Sequence, residues 1–146
     1  MNIYYICTGN TCRSPMAEAI FHSHKKVGMN VRSAGIYAMD GGDISENAKR
    51  VIRDADIDFT HFSRQVSEED VRWANLILTM TTAHKQLVMQ AFPFAADKIF
   101  TLKEYVRPYG SHDVSDPFGG DVHMYRQTFQ ELTILTKDLF TKLNDE

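Results

Sequence analysis

Apolar and polar positions along the chain switch repeatedly between two periods, and the switches mark out its elements. "NIYYI" (2–6) is a short run of β-forming residues, the length and composition of a strand. After it, "MAEAIFHSHKKV" (16–27) places Met16, Ala19 and Ile20 at helical spacing, with Pro15 where a first-turn proline is tolerated. "NVRSAGI" (30–36) reads as a second strand, ended by the "DGGD" turn at 40–43. Ser45 opens a helix over "ENAKRVIRDADI" (46–57), whose apolar stripe is Ala48, Val51, Ile52 and Ala55.

The second half repeats the alternation. "SEEDVRWA" (67–74) is a short helix capped by Ser67, with Asp70 three residues on. "NLILTM" (75–80) is a continuous apolar run, as a central strand covered on both faces requires. "TTAHKQLVMQAF" (81–92) reads as a helix stopped by Pro93, and "KIFTL" (98–102) as a fourth strand. Residues 107–120 hold two prolines and three glycines and form a loop. "DVHMYRQTFQELTILTKDLFTKL" (121–143) is one long amphipathic helix, with Met124, Phe129, Leu132, Leu135, Leu139 and Leu143 recurring at three- and four-residue steps. Strand–helix alternation predicts an α/β fold: a parallel four-stranded sheet with helices on both faces, in a single domain over 1–146. In such folds the ligand sits outside the carboxyl ends of the strands, and the first βα turn is the natural place for a phosphate-binding loop.

Composition narrows the classes. A chain of 146 residues, 43% apolar and 24% charged, has core enough for one soluble domain without disulfide or metal staples. The net charge of -3 argues against nucleic acid or an anionic membrane as partner. No apolar run approaches the roughly 20 residues that cross a bilayer. The first residues do not have the make-up of a secretion signal, so the expected compartment is the cytoplasm. Two cysteines are expected as thiols there. The six histidines (22, 24, 61, 84, 112 and 123) are scattered without zinc-finger spacing and are expected to be surface or packing residues. No metal and no cofactor is expected.

Both cysteines fall in "CTGNTCRS" (7–14), at the first strand–helix turn. Thr8, Gly9, Asn10, Thr11, Cys12 and Ser14 make up a loop whose backbone N–H groups, with the helix N-terminus behind them, can converge on one anion. Gly9 and Asn10 tolerate the positive φ that such a nest uses. Cys7 lies at the strand end, under the anion site. Arg13 lies at the first helical turn, where its guanidinium can fold over the same anion and bind two oxygens. A thiol facing these donors, with the Ser14 hydroxyl beside it, is expected to have its pKa lowered well below about 8.5. A thiolate held below a bound phosphoryl group is set for in-line attack, with the loop and Arg13 stabilising the charge on the equatorial oxygens.

"CTGNTCRSP" resembles the C-x5-R-S loop of the low-molecular-weight protein tyrosine phosphatases, and "SDPFGG" (115–120) resembles that family's late Asp-Pro. "SAG" at 33–35 and "ILTM" at 77–80 extend the resemblance over essentially the whole chain. It implies Cys7 as nucleophile, Arg13 as binder of phosphate and transition state, Asn10 and Ser14 as supports of the loop and thiolate, and Asp116 as general acid and then base. Asp113 and Asp121 are the nearest competitors of Asp116 for that role. The resemblance also implies phosphorylated protein substrates, an opposing protein kinase and a monomer. It favours Cys12 as redox partner of Cys7, against the plainer role of a small buried loop residue.

Within the family, "GNTCRS" is the form seen in the bacterial protein-arginine phosphatases, which are also similar in "KIFTLKEYV" (98–106) and in "DPFGGD" and "YRQT" (116–128). Tyrosine-directed members usually carry a bulkier aliphatic residue at the position of Thr11. A threonine hydroxyl offers polar surface to a guanidino group, and Asp116 offers a carboxylate. Phe118 either walls the entrance or packs under the loop. The expected substrate is phosphoarginine, with phosphotyrosine the alternative. A more distant alternative is a flavodoxin-like FMN-binding electron carrier, since "TGNT" also occurs in flavin-phosphate loops. Such a loop needs neither Cys7 nor Arg13. A thioredoxin-coupled arsenate reductase would need cysteines beyond Cys12, and a catalytically dead phosphate binder would not need nucleophile, arginine and acid together.

Overall fold

Ile3 to Cys7 are all buried, in a strand with neighbours on both sides. The computed structural model describes residues 1–24 and 27–144. β1 (Asn2–Cys7) is followed by α1 (Arg13–His24), β2 (Asn30–Gly35), α2 (Glu46–Asp54) and α3 (Glu68–Trp73). Then come β3 (Leu76–Thr79), α4 (Thr82–Ala91), a 3-10 turn (Pro93–Lys98), β4 (Ile99–Thr101), α5 (Leu102–Val106) and α6 (Val122–Asn144). The sheet has the order β2-β1-β3-β4 and every pairing is parallel, as the alternation of elements predicts.

Side chains of successive strand residues point to opposite faces, and the two central strands divide the core accordingly. Ile3, Tyr5 and Cys7 with Leu76 and Leu78 pack among residues of α1, α2 and α6. Tyr4, Ile6 and Ile77 pack on the other face against Val71, Val88 and Ile99. Being covered on both faces explains why β1 and β3 carry no polar alternation. α1 is buried from Arg13 through Phe21, so this helix crosses the molecule rather than lying on its surface.

Ser45 and Ser67 open their helices as expected, accepting from the N–H groups of Ala48 and Asp70; Thr81, expected inside the next helix, is instead its cap and accepts from the N–H of His84. Some expectations are corrected. α2 stops at Asp54, leaving Ala55 an exposed cap rather than part of the stripe. β2 ends at Gly35 and β4 is only three residues long, because α5 begins at Leu102. α5 itself was not expected, although "TLKE" is a capping box in which Thr101 and Glu104 satisfy each other's backbone N–H groups. The buried stripe of α6 is Tyr125, Thr128, Leu132, Leu135, Thr136 and Leu139; Met124 is exposed. Thr136 enters the core because its hydroxyl donates to the Leu132 carbonyl at 2.7 Å, leaving the γ-methyl as its apolar face. Of the expected first helix, residues 25 and 26 lie outside the described residues. Among the described residues no helix is long and apolar enough to cross a membrane.

Candidate active site

The carboxyl ends of β1, β2 and β3 bring the site together. Residues 8–12 leave β1 and turn into α1, and Asn10 makes the turn with φ 56°, the left-handed conformation an asparagine tolerates. Gly35, at the end of β2, runs directly beneath this loop. A Cβ there would stand 2.5 Å from the Thr8 carbonyl oxygen and 2.8 Å from the Asn10 nitrogen. The N–H of Tyr37 donates to the Thr8 carbonyl, and that of Ser45 to the Thr11 carbonyl.

Asn10 is fully buried and bonded to five residues. Its Nδ2 donates to Ser14 Oγ at 2.8 Å and to Ser33 Oγ at 3.0 Å. Its Oδ1 accepts from the Arg64 N–H at 3.0 Å and lies 2.7 Å from His61 Nε2. Its carbonyl accepts from Ser63 Oγ at 2.8 Å. Since Asn10 donates to Ser14, the Ser14 hydroxyl can pass its own hydrogen to Cys7 Sγ, 2.8 Å away. The hydroxyl's other acceptor, the Ala34 carbonyl, is farther away at 3.5 Å.

Burial nevertheless pushes the Cys7 thiol above its ordinary value, against the Ser14 hydroxyl, the backbone N–H groups of Ser14 and Asn10, and the Arg13 charge. The expected lowering is therefore corrected. It weighed the donors, which are all present, but not the loss of solvent around a fully buried sulfur, which acts in the opposite direction and is larger.

Arg13 is buried, and its Nη1 donates to the Val114 carbonyl at 3.1 Å. Its Nη2 lies 3.4 Å from Asp116 Oδ2. Val114 is tied to the end of β3 through its N–H to the Met80 carbonyl. Ser115 is tied to α6 through Thr128 Oγ1, at 3.0 Å. Asp116 accepts from the Phe118 N–H across Pro117. Its competitors are engaged elsewhere: Asp113 accepts from the Thr82 N–H at the start of α4, and Asp121 from that of Met124 at the start of α6. Of the three, only Asp116 lines the cavity.

That cavity measures about 270 Å³ and is bounded by Cys7, Thr8, Gly9, Thr11, Cys12, Arg13, Asp116 and Phe118. Phe118 is 76% exposed, so it stands at the rim and does not pack under the loop. A larger hollow of about 640 Å³ lies on the far side of the Asn10 network and is polar, lined among others by Glu18, Arg32, His61 and Arg64. Both cysteines are free and buried. Cys12 Sγ lies 3.2 Å from Tyr125 Oη and 3.7 Å from Ser45 Oγ. Among the described residues no group of three or more His, Cys, Asp or Glu is placed to hold a metal ion.

Two histidines expected as surface or packing residues belong to the support of the loop. His61 is held on Asn10, and His84 Nε2 lies 2.8 Å from Thr8 Oγ1. Burial lowers the pKa of each to about 4, with Arg64 adding to the effect at His61 and Arg13 at His84. No local signal identifies either: His61 follows an unstructured stretch and His84 sits inside an ordinary helical pattern.

A parallel sheet presenting a thiol, an arginine and backbone donors to one anion, with a carboxylate over it, defines a cysteine-dependent phosphatase. The chain belongs to the low-molecular-weight phosphotyrosine protein phosphatase family, whose model matches residues 2–146. It is 45% identical over 150 residues to a protein-arginine-phosphatase of Bacillus subtilis, covering 100% of this chain and 99% of the relative. It is 40% identical over 141 residues to the low molecular weight protein-tyrosine-phosphatase PtpB of Staphylococcus haemolyticus, covering 97% and 99%. Among solved structures it is similar to a cysteine-to-serine mutant of the YwlE arginine phosphatase with a phosphorylated active-site serine. The TM-score is 0.96 at 42% identity, covering 100% of this chain and 97% of that one.

Proposed function

We propose that the protein hydrolyses phosphoarginine in phosphorylated proteins, opposing a protein kinase, through a cysteinyl-phosphate intermediate. The observation that carries this reading is that Thr8, Thr11 and Asp116, each with a group able to accept an N–H, line the cavity together with Cys7. The 45% identity to a protein-arginine-phosphatase supports it.

In the first step Cys7 passes its thiol proton to a phosphoryl oxygen and attacks phosphorus as the thiolate, the N–P bond breaks, and the carboxyl of Asp116 gives its proton to the departing guanidino nitrogen. Arg13 and the N–H groups of residues 8–14 hold the three equatorial oxygens. Ser14, itself held by Asn10, donates to the sulfur. In the second step the Asp116 carboxylate takes a proton from water, whose oxygen attacks phosphorus. Inorganic phosphate leaves and the Cys7 thiolate is restored. Cys12 serves the same site as a resolving thiol that captures an oxidised Cys7.

Phosphotyrosine is the second reading. It is favoured by the exposed ring of Phe118 at the rim, which could stack on a phenyl group.

The test is kcat/KM on phosphoarginine and phosphotyrosine peptides for wild type and Thr11→Ile, with Cys7→Ser as blank. Wild type should prefer phosphoarginine, and an aliphatic side chain at 11 should shift the ratio toward phosphotyrosine by roughly tenfold or more. A wild type that prefers phosphotyrosine overturns the substrate assignment. Turnover remaining in Cys7→Ser overturns the covalent mechanism.

A further inference from the structure

His84 stands on the first turn of α4 and is 6% exposed. Its ring is turned to the catalytic loop, and no step of the mechanism above uses it. Arg13, Asp113 and Asp116 face it: burial and then Arg13 lower its pKa, against Asp116 and Asp113, to about 4. The imidazole is therefore neutral near pH 7, with one N–H and one lone pair.

The distribution of partners fixes which nitrogen holds the proton. Nε2 has Thr8 Oγ1 at 2.8 Å. Nδ1 is buried and bonds no group among the described residues. An orphaned buried N–H is rarer than an orphaned acceptor, so the proton belongs on Nε2 and is donated to Thr8. Thr8 Oγ1 then has one lone pair occupied and one free. Thr8 follows Cys7 directly and forms part of the cavity wall.

We propose that His84 is a positioning residue for substrate choice: by donating to Thr8 Oγ1 it fixes that hydroxyl so that its remaining lone pair accepts an N–H of a guanidino leaving group. This rests on the phosphoarginine reading and adds a second element to it beside Thr11. A phenyl ring offers no N–H at that point, so the contact exists for one leaving group and not for the other. A site built around a hydrogen bond discriminates against a substrate that lacks the donor.

The experiment measures KM and kcat on phosphoarginine and phosphotyrosine peptides for wild type, His84→Phe, His84→Gln, Thr8→Val and the double variant Thr8→Val/His84→Phe. His84→Phe and Thr8→Val should each raise KM for phosphoarginine about tenfold more than they raise KM for phosphotyrosine. The double variant should be no worse than either single one, because the two residues act through one contact. His84→Gln, which keeps an N–H donor, should restore most of the selectivity. Thr8→Val has nearly the native shape and carries the test if the phenylalanine variant does not fold. Equal losses on both substrates, or additive losses in the double variant, overturn the proposal while wild type still prefers phosphoarginine. A wild type that prefers phosphotyrosine overturns the phosphoarginine reading and this contact with it.

Discussion

Arg13 and Asp116 face each other across the mouth of the cavity at 3.4 Å, the arginine buried and the aspartate 55% exposed. In the proposed mechanism an anion on the loop shares Arg13 with Asp116, and the carboxyl stands beside the group that the phosphorus releases. A guanidino group leaves as a strong base, with a conjugate-acid pKa above about 12, and needs the proton more than a nitrophenolate does. Asp116→Asn should therefore lower kcat on phosphoarginine by about 10²–10³ and on p-nitrophenyl phosphate by less than about tenfold. Steady-state kinetics on the two substrates check this, and equal losses would remove the acid role from Asp116.

Gly35 is held to its identity by the loop above it. Its missing Cβ would meet backbone atoms of Thr8, Gly9 and Asn10 at 2.5–2.8 Å, and backbone cannot swing aside as a long side chain can. Gly35→Ala must push the loop off β2, at a cost of about 2 kcal/mol by analogy with overpacked cores. The expected outcome is a fall in Tm of roughly 5 °C and loss of inorganic phosphate as a competitive inhibitor. A variant with native Tm and unchanged phosphate inhibition would show that the contact is not needed.

The sheet was legible because β1 and β3 are apolar without interruption, which is what burial on both faces demands, and because Ser45 and Ser67 announce helix starts. α5 was not, since five residues are too few for a periodic stripe and only its capping box marks it. At the site, the loop residues are contiguous in sequence, so their grouping could be read directly. Asp116 is 103 positions from Arg13, and a Pro after it and the family resemblance singled it out. His61 and His84 reach the loop only through the fold, and nothing in their neighbours' spacing points to Asn10 or Thr8. The raised Cys7 thiol was missed for a related reason: donors can be counted along the chain, whereas burial is a property of the packed molecule.

Glu18 gives a pH dependence whose sign can be worked out. It is buried on α1 with His61 Nδ1 at 3.7 Å. Burial raises its pKa from 4.5 to about 7, against a hydrogen bond from Ser33 and the charge of Arg64. The native state thus favours the neutral carboxyl. Its stabilisation is complete below about pH 4.5 and is lost as pH rises through about 7. Glu18→Gln, neutral at every pH, should gain on wild type between pH 5 and pH 8 by roughly 3 kcal/mol at most. His61 titrates in both proteins and largely cancels in the difference. Thermal unfolding of the pair across this range is the measurement, and a difference independent of pH would contradict a raised Glu18.

Cys12 lies in the same loop as Cys7, buried, with Tyr125 Oη 3.2 Å from its sulfur. The resolving role proposed for Cys12 requires that peroxide convert the Cys7 thiolate to a sulfenic acid and that the Cys12 thiolate attack that sulfur, expelling hydroxide and closing a disulfide. The disulfide is inactive but reducible, whereas further oxidation of Cys7 to the sulfinic acid is irreversible to dithiothreitol. Wild type treated with peroxide and then dithiothreitol should regain most of its activity. Cys12→Ser should have near-native activity before treatment and lose most of it permanently at the same exposure. Mass spectrometry should find a species two hydrogens lighter in oxidised wild type and Cys7 sulfinic acid in the variant. Equal recovery in the two proteins would leave Cys12 as a small residue filling the space between the loop and α6.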